Sequence, residues 1–286
     1  LWWLLVTAAA TWVLMRSRSG NWIFAVGGDE RRGARAIKRG TLPIMMGHTH
    51  AMTGAIAWLG LAPPLAALPL LSESSRFIET GIMAGALGPA ELIAGAIICA
   101  GAAMLPDLDH PSATIAQTFG PVTWLLSKGV SWLAGGHRGA THSLAFAVAL
   151  GLGAHWLANT YPIGRDVMVV LLIGLALRAI GVGIPGNKLG SAMVNIGMTA
   201  GLYAVFLSLG VGYAWLGLAV GVGCLIHVVG DCMTERGCPV LWPLGVKFVL
   251  PWKIGIKTGK KFEQKILAPL LSVAIIGLLF WRLAPV

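Results

Sequence analysis

Residues 211–231, VGYAWLGLAVGVGCLIHVVGD, decide the fold. The run is apolar to residue 229 and nearly long enough to cross a hydrocarbon core, since a spanning helix uses about 20 residues. His227 and Asp231 lie near its end at i and i+4, on one helix face with Cβ atoms about 6 Å apart, a spacing two ligands of one metal can use. An apolar helix tipped with an imidazole and a carboxylate predicts a membrane span that ends in chemistry.

The rest of the chain repeats the theme. Further apolar stretches cover residues 1–15, 51–71, 81–105, 140–158, 167–185, 191–209 and 266–285. Backbone polar groups inside lipid must be satisfied within their own segment, and no alternating barrel pattern competes, so the runs predict helices. The expected fold is an all-α polytopic membrane bundle of about seven or eight transmembrane helices.

Composition agrees. Of 286 residues 56% are hydrophobic and only 11% charged, about half the usual charge density. A soluble domain or a nucleic-acid binder needs a polar surface, so the net charge of +10 is no nucleic-acid footprint. Four cysteines, Cys99, Cys224, Cys232 and Cys238, form no CxxC pair, and neither a disulfide framework nor a zinc ribbon is implied.

Alternate threading of the runs places residues 16–50, 106–139, 186–190 and 230–265 on one face. That face carries the basic residues from Arg16 to Arg39, Lys128, Arg138, Lys188 and those from Arg236 to Lys265, against Arg76 and Arg165 on the other. The positive-inside rule makes it cytoplasmic. Val122–Ala134 is too short to span and reads as a re-entrant or interfacial piece on the same face.

Six of the seven histidines lie in four polar islands: Gly47-His48-Thr49-His50, Pro106-Asp107-Leu108-Asp109-His110-Pro111, His137-Arg138-Gly139-Ala140-Thr141-His142-Ser143 and His227-Val228-Val229-Gly230-Asp231. Two open helices and two close them, so threading brings all four to one membrane interface. Pro106 and Pro111 bracket a segment read as extended, in which Asp107 and Asp109 point one way and His110 the other. Asp107 and Asp109 are thus the better ligand candidates. His48 and His50 share a side only if their segment is extended, and a break at Gly139 lets His142 open the next helix.

A single His at a helix end is most often a cap, but ionisable groups at membrane depth cost roughly 2.5–3.5 kcal/mol each, so such a gathering calls for compensation. One or two divalent cations supply it. Mixed imidazole and carboxylate ligands suit zinc, manganese, iron or nickel, with zinc and manganese foremost. Arg138 can clamp a phosphate or stabilise developing charge, and Asp109 or Glu235 can act as general base toward a metal-bound water. His155 is the internal control: it lies 13 residues past His142, about 20 Å along the helix at 1.5 Å per residue, and belongs to the opposite face. Glu91 and Arg178, isolated in apolar runs, read equally as functional groups or as side chains with a buried partner or snorkelling to an interface. Thr141, Ser143 and Thr234 read as caps and supporting hydrogen bonders.

Taken in order, GHTH, PDLDH, HRGATHS and HVVGDCMTERGCPVLWP resemble a family of bacterial inner-membrane proteins described as metal-dependent hydrolases, with the pattern H-x-H, P-D-x-D-H, H-R-G-x-T-H-S and H-x-x-x-D followed by T-x-x-G and a proline. The match spans roughly residues 45–245. The resemblance implies a hydrolase with metal ligands drawn from His48, His50, Asp107, Asp109, His110, His137, His142, His227 and Asp231, with Gly237 and Pro243 shaping the following loop. Residues 20–37, GNWIFAVGGDERRGARAI, instead resemble a cytoplasmic loop of sugar-type ABC transporter permeases. One reading of this segment is a short amphipathic cytoplasmic helix capped near Asp29; the favoured one makes residues 1–44 a fused segment or a misplaced start, and residues 45–286 the hydrolase domain.

The expectation is a multi-pass inner-membrane hydrolase with its site facing the cytoplasm and membrane lipids as its surroundings. The expected substrate is a small molecule or a lipid derivative, and a site at headgroup depth points to one that is lipid-derived or phosphate-bearing. Rival readings are a metal or proton transporter with a His/Asp relay, which needs ionisable groups at several depths, and a structural protein whose metal staples helices.

Overall fold

The computed structural model describes residues 47–66, 87–113, 115–184, 187–249 and 262–283. The permease-like segment, the first apolar run and Arg76 lie outside the described residues. Among the described residues eight α-helices are present: α1 (Gly47–Ala66), α2 (Pro89–Ala102), α3 (Pro121–Leu133), α4 (Leu144–Thr160), α5 (Pro162–Ala179), α6 (Lys188–Ser208), α7 (Leu216–Cys232) and α8 (Ala268–Leu283). Short 3₁₀ turns occupy Pro106–Asp109, Ile115–Gln117 and Ala140–His142, and a π-turn at Glu263–Leu267 leads into α8. Among the described residues the only β pairings are isolated bridges, and the chain forms the expected all-helical membrane bundle.

Local chemistry sets the helix starts. Proline opens α2, α3 and α5, where its missing N–H costs nothing. Ser143 Oγ accepts the Phe146 N–H at 3.1 Å and caps α4, and Asn187 Oδ1 accepts the Gly190 N–H at 2.8 Å and caps α6. Glu91 caps its own helix by accepting the Gly88 N–H at 2.9 Å. Arg178, in the last turn of α5, donates to the Val182 carbonyl at 3.3 Å beyond the helix end. Both isolated charges therefore have structural roles.

The helix α2 is the hub, packed by α1, α5 and α7, while α4 lies against α7 and α5, α6 against α5, and α8 against α1. Helices in lipid gain little from hydrophobic burial against one another, so close approach through small residues must hold them. Gly54 of α1 and Gly223 of α7 both face the Cys99 carbonyl of α2, which a Cβ would meet at 2.7 and 2.6 Å. Gly101 of α2 faces the Leu172 backbone of α5 in the same way.

Among the described residues three segments are long and apolar enough to cross a membrane: Pro89–Asp109, Lys188–Ser208 and Glu263–Leu283. They run from inside to outside, 83%, 28% and 6% buried within the protein. The shorter Leu144–Thr160 and Leu216–Cys232 are also apolar. At 13 residues α3 measures about 20 Å, short of the ~30 Å core. It turns Thr123 and Ser127 inward, with Ser127 Oγ donating to the Leu108 carbonyl, and leaves Val122, Leu125 and Leu133 exposed.

The two ends of the bundle differ. At one, the starts of α1 and α4 meet the ends of α2 and α7. At the other lie Glu91, Tyr213, Trp215 and Arg165, whose guanidinium stands over the Tyr213 ring at 5.7 Å. His155 belongs to this second end, beside Gly217 at the start of α7.

Candidate metal centre

The first end is built from the four islands. Helix α1 already includes Gly47–His50, so His48 and His50 sit about 200° apart rather than on one side. His50 is fully buried and its ring stacks on His227, centroids 4.0 Å apart. His48 is buried too but belongs to none of the groups that could hold a cation, while its neighbour Thr49 donates from Oγ1 to Glu263 at 2.8 Å. The extended reading of Pro106–Asp109 is likewise corrected. Pro106 opens a 3₁₀ turn, closed by Leu108 N–H on the Leu105 carbonyl and His110 N–H on the Asp107 carbonyl, so Asp107 and Asp109 diverge.

Asp107 points to the histidines. Its Oδ1 lies 3.7 Å from His142 Nε2 and 3.8 Å from His227 Nε2. On the other side Asp231 Oδ2 lies 3.5 Å from His142 Nε2 and 3.9 Å from His227 Nε2, and the two Nε2 atoms are 3.3 Å apart. Ligand atoms at 2.0–2.2 Å from a tetrahedral ion stand about 3.3–3.6 Å from one another. The shorter of these separations match that spacing and the longer ones slightly exceed it, close enough for the atoms to share a cation. His50 Nε2 adds a further edge, 3.6 Å from Asp231 Oδ1.

Three overlapping groups can hold a cation: His50, Asp107 and His227; Asp107, His137 and His142; and His142, His227 and Asp231. Within them His50 Nδ1 and Nε2, Asp107 Oδ1, His137 Nε2 and Asp231 Oδ2 are buried without a hydrogen-bond partner. Buried polar atoms are normally paired, so their convergence fits a cation better than a purely structural role.

The support around these atoms sets their tautomers. His227 Nδ1–H donates to the Ala103 carbonyl at 2.7 Å, leaving the Nε2 lone pair toward the centre. Asp109, fully buried, accepts from His137 Nδ1 at 2.7 Å, the Arg138 N–H at 2.9 Å and Thr141 Oγ1 at 2.6 Å, and faces His142 Nδ1 at 3.4 Å. It therefore stands behind the histidines, with both oxygens committed. Burial alone would make His142 less basic, but the carboxylates of Asp107 and Asp109, followed by Asp231, outweigh it and lift its pKa to about 9.

Arg138 has φ +61°, the only positive value at a non-glycine residue among those described. That backbone aims its N–H at Asp109 while its guanidinium donates to Asp231 Oδ1 and to the Gly237 carbonyl, both at 2.9 Å. The guanidinium holds Asp231 rather than standing free for a substrate. His110 is half-buried with its ring edge-on to His137 at 4.8 Å, outside the three groups, and burial followed by the neighbouring His137 lowers its pKa. Glu235 is exposed on the loop after α7, also outside the groups. The Ala103 and Gly237 carbonyls were invisible to reasoning from side-chain types; only the T-x-x-G spacing hinted at Gly237, whose φ is +59°.

A helical membrane bundle carrying a buried His/Asp cluster at one end defines an integral membrane protein with a candidate metal centre. The chain belongs to the YdjM inner membrane protein family, whose model matches residues 45–285. It is 27% identical over 164 residues to "Inner membrane protein YdjM" of Escherichia coli (strain K12), and equally to that of Shigella flexneri, covering 56% of this chain and 55% of each relative. The chain thus spans about half the length of the curated relatives it matches. No solved structure matches it.

Proposed function

We propose that this protein is a metal-dependent hydrolase of the bacterial inner membrane, with its centre at the cytoplasmic face and a phosphate-bearing or lipid-derived substrate. The observation that carries the reading is the cluster of His50, Asp107, His142, His227 and Asp231, all buried, with the part-buried His137 beside them, close enough to share a cation and left with unpartnered ligand atoms. Six candidate ligands in three overlapping groups exceed the four of a closed structural site, which favours two ions, or one ion held by part of the set, over a staple. The concentration of His and Asp at one end of the helices disfavours a relay across the bilayer. The basic flanking segments support the cytoplasmic orientation.

A divalent ion of the zinc or manganese type would supply an activated water and polarise the bond to be cleaved. The protein's own residues do the positioning. Asp109 fixes His137 and His142, the Ala103 carbonyl fixes His227, and Arg138 fixes Asp231. Arg138 is therefore assigned as a positioning residue in place of a substrate clamp. Helix α3 packs against the Pro106–Asp109 turn and leaves Val122, Leu125 and Leu133 exposed, which supports access from the lipid side.

Metal content by mass spectrometry on detergent-purified protein, beside a variant with both His227 and Asp231 replaced by Ala, tests the centre. Stoichiometric transition metal that disappears in the variant is expected, and phosphomonoester and phosphodiester hydrolysis should be lost with it. Equal turnover in His227→Ala, with metal retained, would sink the assignment.

A further inference from the structure

Cys232 closes α7 one residue after Asp231, and Cys238 follows Gly237, the residue whose carbonyl holds Arg138. Their sulfurs stand 3.4 Å apart. The pair is asymmetric. Cys238 is fully buried, its sulfur 3.5 Å from the carbonyl oxygens of both His142 and Val228, whereas Cys232 is partly open. Cys238 is also pinned through its backbone, donating its N–H to Phe248 O at 3.1 Å and accepting from Phe248 N–H at 2.9 Å. Closing to the bond length of about 2.05 Å takes roughly 1.4 Å of sulfur movement, within the reach of side-chain rotation at Cys232. Cys99 and Cys224, by contrast, are buried in the helical core.

We propose that Cys232 and Cys238 form a reversible redox site, converted by a hydroperoxide into an intramolecular disulfide at the edge of the centre. With hydrogen peroxide, the accessible Cys232 sulfur attacks the O–O bond. An S–O bond forms, the O–O bond breaks, and the departing oxygen leaves as water with the thiol proton. The Cys238 sulfur then attacks the resulting sulfenic acid. The S–S bond forms, the S–O bond breaks, and the second oxygen leaves as water with the Cys238 proton. Two thiols lose two electrons in all, and one peroxide becomes two waters. The bridge joins the neighbours of Asp231 and Gly237, the two anchors of the Arg138 guanidinium, so the thiol state and the hold on Asp231 are coupled. This coupling rests on Asp231 being a metal ligand; the thiol chemistry does not.

The test treats the full chain, purified in detergent under reductant, with hydrogen peroxide and then an alkylating agent, followed by peptide mass spectrometry and metal titration. A Cys232–Cys238 linked peptide is expected, two hydrogens lighter than the thiol pair and reversed by dithiothreitol. In Cys238→Ser, oxidation should stop at a sulfenic acid on Cys232 that dimedone traps. The oxidised protein should bind metal at least about tenfold more weakly than the reduced one, as when an outer-shell partner is disturbed. No linked peptide, or only irreversible oxidation of Cys232 in protein that still elutes as a folded species, would overturn the redox site. Equal metal affinity of the two forms would overturn the coupling. Reduced protein that binds no metal would refute the metal reading alone, because the linked peptide is read by mass without it.

Discussion

Replacing Asp109 with Asn tests how the centre is held without removing any atom that touches the candidate cation. The carboxylate takes His137 Nδ1 on Oδ1 and the Arg138 N–H and Thr141 Oγ1 on Oδ2. Asparagine has the same shape but one acceptor oxygen. The Arg138 backbone N–H cannot reverse its role, so the amide oxygen must occupy the Oδ2 position and the amide NH₂ must face His137. His137 then accepts at Nδ1 and carries its proton on Nε2, the atom that Asp109 otherwise leaves unprotonated toward the centre. Disabling a ligand through its supporting partner costs about 10–100-fold in metal affinity, or about 1.4–2.8 kcal/mol. Competition with a chromophoric chelator in detergent reads this directly. His110→Ala, altered at a residue outside the three ligand groups, serves as the control and should retain wild-type affinity. Wild-type affinity in Asp109→Asn would refute the argument, since either His137 is not a ligand or Asp109 does not set its tautomer.

Other residues make separable predictions. Arg138→Lys keeps the charge but cannot donate in a fork to Asp231 and the Gly237 carbonyl, and should weaken metal binding by about tenfold, measured by the same competition. Gly101→Ala places a methyl on the Leu172 carbonyl and should force α2 from α5, seen as loss of monodisperse protein in fluorescence-detected size exclusion. Gly197→Ala, with open space at its Cβ position, should instead hold or raise the melting temperature, because alanine favours a helix over glycine by about 0.8–1.0 kcal/mol. His155→Ala should leave metal content unchanged by mass spectrometry, since His155 sits beside Gly217 at the far end of the bundle.

The bundle and the meeting of the islands were legible because both follow from counting: apolar runs of spanning length, threaded alternately, bring the starts of α1 and α4 to the ends of α2 and α7. The His227/Asp231 pair was legible for the same reason, as i and i+4 share a face on any regular helix. What a short polar segment does within itself was harder to read. Proline at Pro106 suggested an extended strand, yet proline is equally at home in a first helical turn, and the hydrogen bonds from Leu108 and His110 close a 3₁₀ turn there. That choice separates Asp107, which faces the cluster, from Asp109, which stands behind it. The same ambiguity at Gly47 separates His50 from His48. Arg138 shows a further limit. Its hydrogen bond to the Gly237 carbonyl spans 99 residues and ends on a backbone atom, so the residue types alone present a free cation where the fold has already spent it. The sequence periods that locate helices therefore locate the site, while the division of labour within it is set by backbone turns and carbonyls that no side-chain pattern encodes.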